Sequence, residues 1–201
     1  MRPETEARIR NVQKFGKNGR QFCVLAGAVF GITLFVSWAT ILAGPRMSGG
    51  SIRLGALYRV PTDQLTTVQM KVWVFLVVTA VLGVLAWTLL HLYRLFRHLE
   101  AGSIYTKQNV YHLRQIALLS MAYAAIQLIL PLASYGLAEI GFIDAAAVAF
   151  VTSGSDAPLW GYSIAGFVSA SLVLLASWIM DVGREVSEDA ETMRREADLV
   201  I

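Results

Sequence analysis

Four long apolar runs, none with an Asp, Glu, Lys or Arg in its middle, constrain this chain more than any other feature. They extend from about Phe22 to Ala43, Val72 to Leu92, Ile116 to Leu137 and Leu159 to Met180. A hydrocarbon core about 30 Å thick is crossed by roughly 20 helical residues, the length of each run. In lipid the backbone must satisfy its own hydrogen bonds, so each run is expected to be a helix. Barrel strands would alternate apolar and polar positions, and these runs are continuous. Composition agrees: 56% of residues are hydrophobic and 15% charged, against about 45–50% and about 25% in soluble domains. The expected fold is therefore all-α, a four-helix transmembrane bundle in which residues 1–201 form a single four-span membrane domain.

Interfacial aromatics mark the boundaries. Trp73 and Tyr93 bracket the second run; Trp160 and Tyr162 open the fourth and Trp178 closes it. Such rings prefer headgroup depth. A cleaved signal peptide is disfavoured, because the first apolar run exceeds the roughly 7–15 residues of a signal-peptide core. The single cysteine, Cys23, excludes an internal disulfide framework and any cysteine-rich metal cluster.

Basic residues predict the orientation. Six of them (Arg2, Arg8, Arg10, Lys14, Lys17, Arg20) precede the first run. Arg94, Arg97, Lys107 and Arg114 surround the break between runs two and three, and Arg184, Arg194 and Arg195 follow the fourth. That places thirteen on one side, against Arg46, Arg53, Arg59 and Lys71 on the other. The positive-inside rule then puts both termini in the cytoplasm.

On that reading the stretch "LEAGSIYTKQN", residues 99–109, is a cytoplasmic hairpin, with the second helix continuing past the lipid towards it. Gly102 suits the left-handed position after a helix end. Thr106 suits an N-cap, and Tyr105 with Val110 has the spacing of a hydrophobic staple. Asn109 stands where a capping box would have Glu or Gln. A capped turn accounts for these residues with no further role.

The longer stretch "LFRHLEAGSIYTKQNVYHLRQIA" resembles the signature of a bacterial membrane family catalogued as domain of unknown function 2975. The resemblance rests on Gly102, Tyr105, Thr106, Asn109, Leu113 and Arg114, and on the charged ending "GREVSEDAETMRREADLVI". It covers the second run onward. It implies a four-helix topology in the bacterial inner membrane and brings no established activity. Some family members are encoded beside small helix-turn-helix regulators, so the resemblance offers a small DNA-binding regulator as a cytoplasmic partner. Direct contact with nucleic acid is not expected.

No catalytic constellation is legible: the chain lacks a nucleophile elbow, a phosphate-binding glycine loop and the H-E-x-x-H and C-x-x-C patterns. An enzyme is therefore not expected, nor is a cofactor. The three histidines, His91, His98 and His112, lie around the hairpin. His91 and His98 are two turns apart on one helix, about 10 Å, too far to share an ion. His98 and His112, with Glu100, are the candidate ligand set, but interfacial histidines are more often not ligands, and zinc needs three or four donors. Gln127 beside Pro131, a proline expected to bend the third helix, is the one start of a polar site within the bundle. Packing against a neighbouring helix is the plainer role. Gly27 and Gly31 form a G-x-x-x-G that favours close helix approach within the bundle or between protomers.

Two outer segments, "SIRLGALYRV" and "AAAVAFVTSG", have strand character and could pair into a small extracytoplasmic β element, although "DAAAVAF" suits a helix equally well. The two cytoplasmic ends differ in charge. Residues 1–20 set six basic groups against Glu4 and Glu6, a net +4 suited to anionic lipid headgroups. Residues 181–201 carry a net −4 and an apolar stripe of Val182, Val186, Ala190, Met193, Ala197 and Val200. That spacing suits a partly docked amphipathic helix, the alternative being a solvated extension of the fourth helix.

The leading functional expectation is a regulatory or scaffolding membrane protein. It would hold a cytoplasmic partner through His98, Glu100, Tyr105 and Lys107 of the hairpin and Val186 and Met193 of the tail. A channel, transporter or small-ligand binder built on Gln127 is the alternative, and a lipid-acting enzyme the second.

Overall fold

The computed structural model describes residues 3–43, 51–54, 58–61, 67–102, 106–143 and 159–199. Their order is α1 (Pro3–Ala43), β1 (Ser51–Leu54), β2 (Tyr58–Pro61), α2 (Val68–Glu100), α3 (Lys107–Glu139) and α4 (Leu159–Leu199). Four helical segments, Arg10–Leu42, Val68–Glu100, Lys107–Glu139 and Ile164–Ala197, are each long and apolar enough to cross a membrane. All four helices outrun the apolar stretches that announce them. α2 continues to Glu100, and α4 runs unbroken into the charged tail. α3 is likewise one helix through position 131.

Local chemistry sets the helix ends. Thr67 caps α2: its Oγ1 accepts from the Met70 amide at 3.3 Å. α3 ends in a left-handed glycine, Gly141, with φ of 72°. Beyond it the Phe142 amide reaches back to the Leu137 carbonyl at 2.9 Å, as a Schellman ending requires.

β1 and β2 pair antiparallel, with Ile52 opposite Val60 and Arg53 opposite Arg59. The strand character expected of "SIRLGALYRV" is realised as a hairpin within that one segment. Only three residues separate Leu54 from Tyr58, so local closure costs far less chain entropy than reaching a distant segment. The second segment, "AAAVAFVTSG", lies outside the described residues.

The chain packs as two compact units, and each helix contributes to both. Unit 1 comprises residues 1–25, 88–118 and 169–201; unit 2 comprises 26–87 and 119–168. Unit 2 holds the main apolar core. Met70, Val74, Val77, Val78 and Val81 of α2 meet Ile41, Leu130 and Ile143 there. Those α2 positions recur at three- and four-residue steps, so they form one helical stripe. Trp38 and Phe75 pack with ring centroids 5.3 Å apart. Gly166 of α4 meets Ala124 of α3 so closely that an added Cβ would stand 3.1 Å from the alanine methyl. In lipid, removal from water drives little of this association; close packing does. α1 also exposes large apolar side chains: Phe22, Leu25, Ile32 and Phe35 are 65–72% exposed. So large an apolar surface fits lipid contact.

Candidate functional site

The residues singled out around the α2–α3 turn all fall in unit 1, where they join four helices. Gly102 follows α2 with φ of 79°, a left-handed conformation natural to glycine. Its amide donates to the Leu99 carbonyl at 3.0 Å, and the Ala101 amide to Arg97 at 3.2 Å. Thr106 caps α3: its Oγ1 accepts from the Asn109 amide at 3.3 Å, and its carbonyl accepts from Asn109 and Val110. Asn109 is fully buried. Tyr105, and with it the proposed staple to Val110, lies outside the described residues.

α1 closes this end of unit 1 against α2 through two glycines that sequence reasoning missed. A Cβ on Gly16 would lie 2.5 Å from the backbone nitrogen of Glu100, and one on Gly19 would lie 2.5 Å from the Phe96 ring. The helices therefore touch backbone to backbone. Phe15 meets Phe96 edge-on at 5.7 Å, and Arg20 pairs with Glu100 at 2.9 Å. The signal was present in "FGKNGR", two glycines one turn apart on a helix. The more conspicuous Gly31, of the G-x-x-x-G pattern, has open space where a Cβ would go.

The histidines assemble differently from expectation. His112 lies between the other two. Its Nδ1 stands 3.0 Å from Nδ1 of His91, and its ring stacks on His98 at 5.8 Å. The rings of His91 and His112 are 4% and 7% exposed. Two imidazole nitrogens at that distance share one proton, so one ring donates through Nδ1 and the other accepts. The sequence pairing of His98 with His112 thus named a stacking contact and missed the hydrogen bond. Glu100 is engaged by Arg20. Among the described residues no group of three His, Cys, Asp or Glu side chains is placed to hold a metal ion.

Arg114 ties α3 to the root of the tail. It pairs with Asp181 of α4 at 3.0 Å. Asp181 also meets Arg184 at 3.3 Å, and Arg184 reaches Glu188 at 2.7 Å. Beside this clasp Ser177 is fully buried against Val110, its Oγ 3.5 Å from the carbonyl. One α3 turn therefore holds α2 through His112 and α4 through Val110 and Arg114.

This geometry gives the residues around the turn separate roles. Gly102 ends one helix, Thr106 starts the next, Asn109 is fully buried in its first turn, and Arg114 clasps the tail. A family of proteins of unknown function, DUF2975, matches residues 54–201. The chain belongs to the DUF2975 family. The match begins in the β1–β2 hairpin, somewhat earlier than the second span from which the resemblance was legible. No curated protein and no solved structure matches the chain.

The remaining candidates are placed separately. Gln127, in unit 2, is 7% exposed, and its Oε1 has no hydrogen-bond partner among the described residues. The expected bond to a neighbouring helix is therefore absent at that atom. Val186 and Met193 are 62% and 68% exposed, so the tail stripe does not dock onto the described residues of its own chain. Lys107 is exposed at the start of α3.

Proposed function

We propose that this DUF2975 protein is a membrane-embedded scaffold or regulator of the bacterial inner membrane, with both termini in the cytoplasm. It holds a cytoplasmic protein on the face made by the α2–α3 turn and the α4 tail. The observation that carries this reading is the Arg114–Asp181–Arg184–Glu188 ion series. It fixes a charged, solvent-facing helix to a capped turn, an arrangement suited to presenting a surface. The tail residues 181–201 carry a net −4, which favours a basic partner surface and speeds encounter at low salt. A small DNA-binding regulator has such chemistry. Its capture at the membrane would need no catalytic group.

The test compares the full chain with one lacking residues 184–201, each isolated from its native membrane. Stoichiometric retention of one soluble protein by the full chain, lost on truncation and weakened by salt, supports the reading. Equal retention by both forms, or no partner for either, sinks it. His98, Glu100 and Lys107 then supply point substitutions on the turn side of the same face.

A further inference from the structure

α4 carries a second repeat on its outward side. Leu172, Ile179, Val186 and Met193 recur every seven residues and are 61%, 66%, 62% and 68% exposed. Between them, also seven apart, stand Ala176, Gly183, Ala190 and Ala197. The two sets interleave at alternating steps of four and three. At about 100° per residue, the line lies across the helix from Ala170, Ser177 and Asp181, the positions buried in unit 1 or clasped by Arg114.

Lipid accounts for exposed Leu172 and Ile179. It does not account for Val186 and Met193, which stand in a charged stretch, after Asp181, Arg184 and Glu185 and on either side of Glu188, and are exposed. A helix that was merely solvated would carry polar groups there. The line keeps its phase across both environments. Its cover must therefore be a helix that leaves the same membrane on the same side with the same 3.5-residue period. A soluble protein would reach only the last two large positions. A second copy of this chain supplies the whole seam.

We propose that α4 pairs with α4 of a second copy as a parallel two-stranded coiled coil from Leu172 to Ala197. Copies inserted the same way run parallel. Leu172, Ile179, Val186 and Met193 follow the small residues by three and so take one seam position, d. Alanine and glycine at the other let the backbones approach, as membrane helices need. Glu188 stays on the far side, paired with Arg184, so the acidic surface remains available. The tails carry a net −4 each and repel, so added salt strengthens this association. The inference does not depend on the partner reading, whose salt dependence has the opposite sign.

The test is disulfide scanning of residues 184–197, one cysteine at a time, in full-length protein with Cys23→Ser, oxidised in native membranes. Cross-linked dimer should peak at positions 186, 190, 193 and 197 and fall to a minimum at 188. A second measurement follows subunit exchange by energy transfer between labelled full-length copies. Val186→Lys or Ala190→Lys should weaken self-association by roughly tenfold or more, with the melting of the single chain unchanged because both sites are exposed. Uniform cross-linking, a maximum at 188, dimers joined through Gly31→Cys without α4, or association that weakens with salt overturns the proposal.

Discussion

Gly16 and Gly31 lie on one helix, and their surroundings give them opposite weights. A methyl on Gly16 would meet the Glu100 nitrogen at 2.5 Å, whereas one on Gly31 would meet nothing within 4 Å. Gly16→Ala should lower the detergent melting temperature by forcing α1 off α2. Gly31→Ala should leave it unchanged or raise it slightly, since alanine is the better helix former by about 1 kcal/mol. Equal effects would refute the close contact. At the turn, Thr106→Ala should cost roughly 1 kcal/mol as a lost cap. Gly102→Val should cost more, because a branched residue resists a φ of 79°. Among the histidines, His112→Ala should disturb the turn more than His98→Ala, since only His112 touches both other rings. Purified protein is expected to lack stoichiometric zinc by elemental analysis; one zinc per chain, lost in His98→Ala/His112→Ala, would reverse that expectation.

At the scale of elements, the clasp between α3 and α4 rests, among the described residues, on one inter-helix ion pair with both partners partly exposed. Arg114 and Asp181 side chains are 46% and 31% exposed. A double-mutant cycle on Arg114→Ala and Asp181→Ala should therefore give a coupling of about 0.2–1 kcal/mol, shrinking in high salt. A larger, salt-independent coupling would mean the pair is buried by something further. The pair's value lies more in direction than in strength, because it fixes the phase at which α4 leaves the turn.

For the whole molecule, the proposed orientation predicts that reporters at Ser48 and Gly154 read outside and those at Ser103 and Ile201 read inside. All four positions lie outside the described residues. An outside signal at Ser103 would overturn the four-span orientation. Removing residues 184–201 should leave the bundle inserted and folded, because the core cluster lies entirely in unit 2 and Asp181 is retained.

Length and hydropathy alone determined the four helices, since a bilayer admits few alternatives to a helix for a continuous apolar run. The caps at Gly102 and Thr106 were equally legible, because capping depends on residues within one turn of each other. Contacts between helices were not. In lipid every face of a span is apolar, so hydropathy does not mark which face packs. Gly16 and Gly19 touch α2 while Gly31 faces open space, although the latter belongs to the more familiar pattern. The His91–His112 bond likewise required the relative rotation of α2 and α3, as did the choice of Asp181 as partner for Arg114. A sequence of apolar spans specifies how often the chain crosses; only tertiary packing decides the azimuth of each helix, and with it which polar side chains meet.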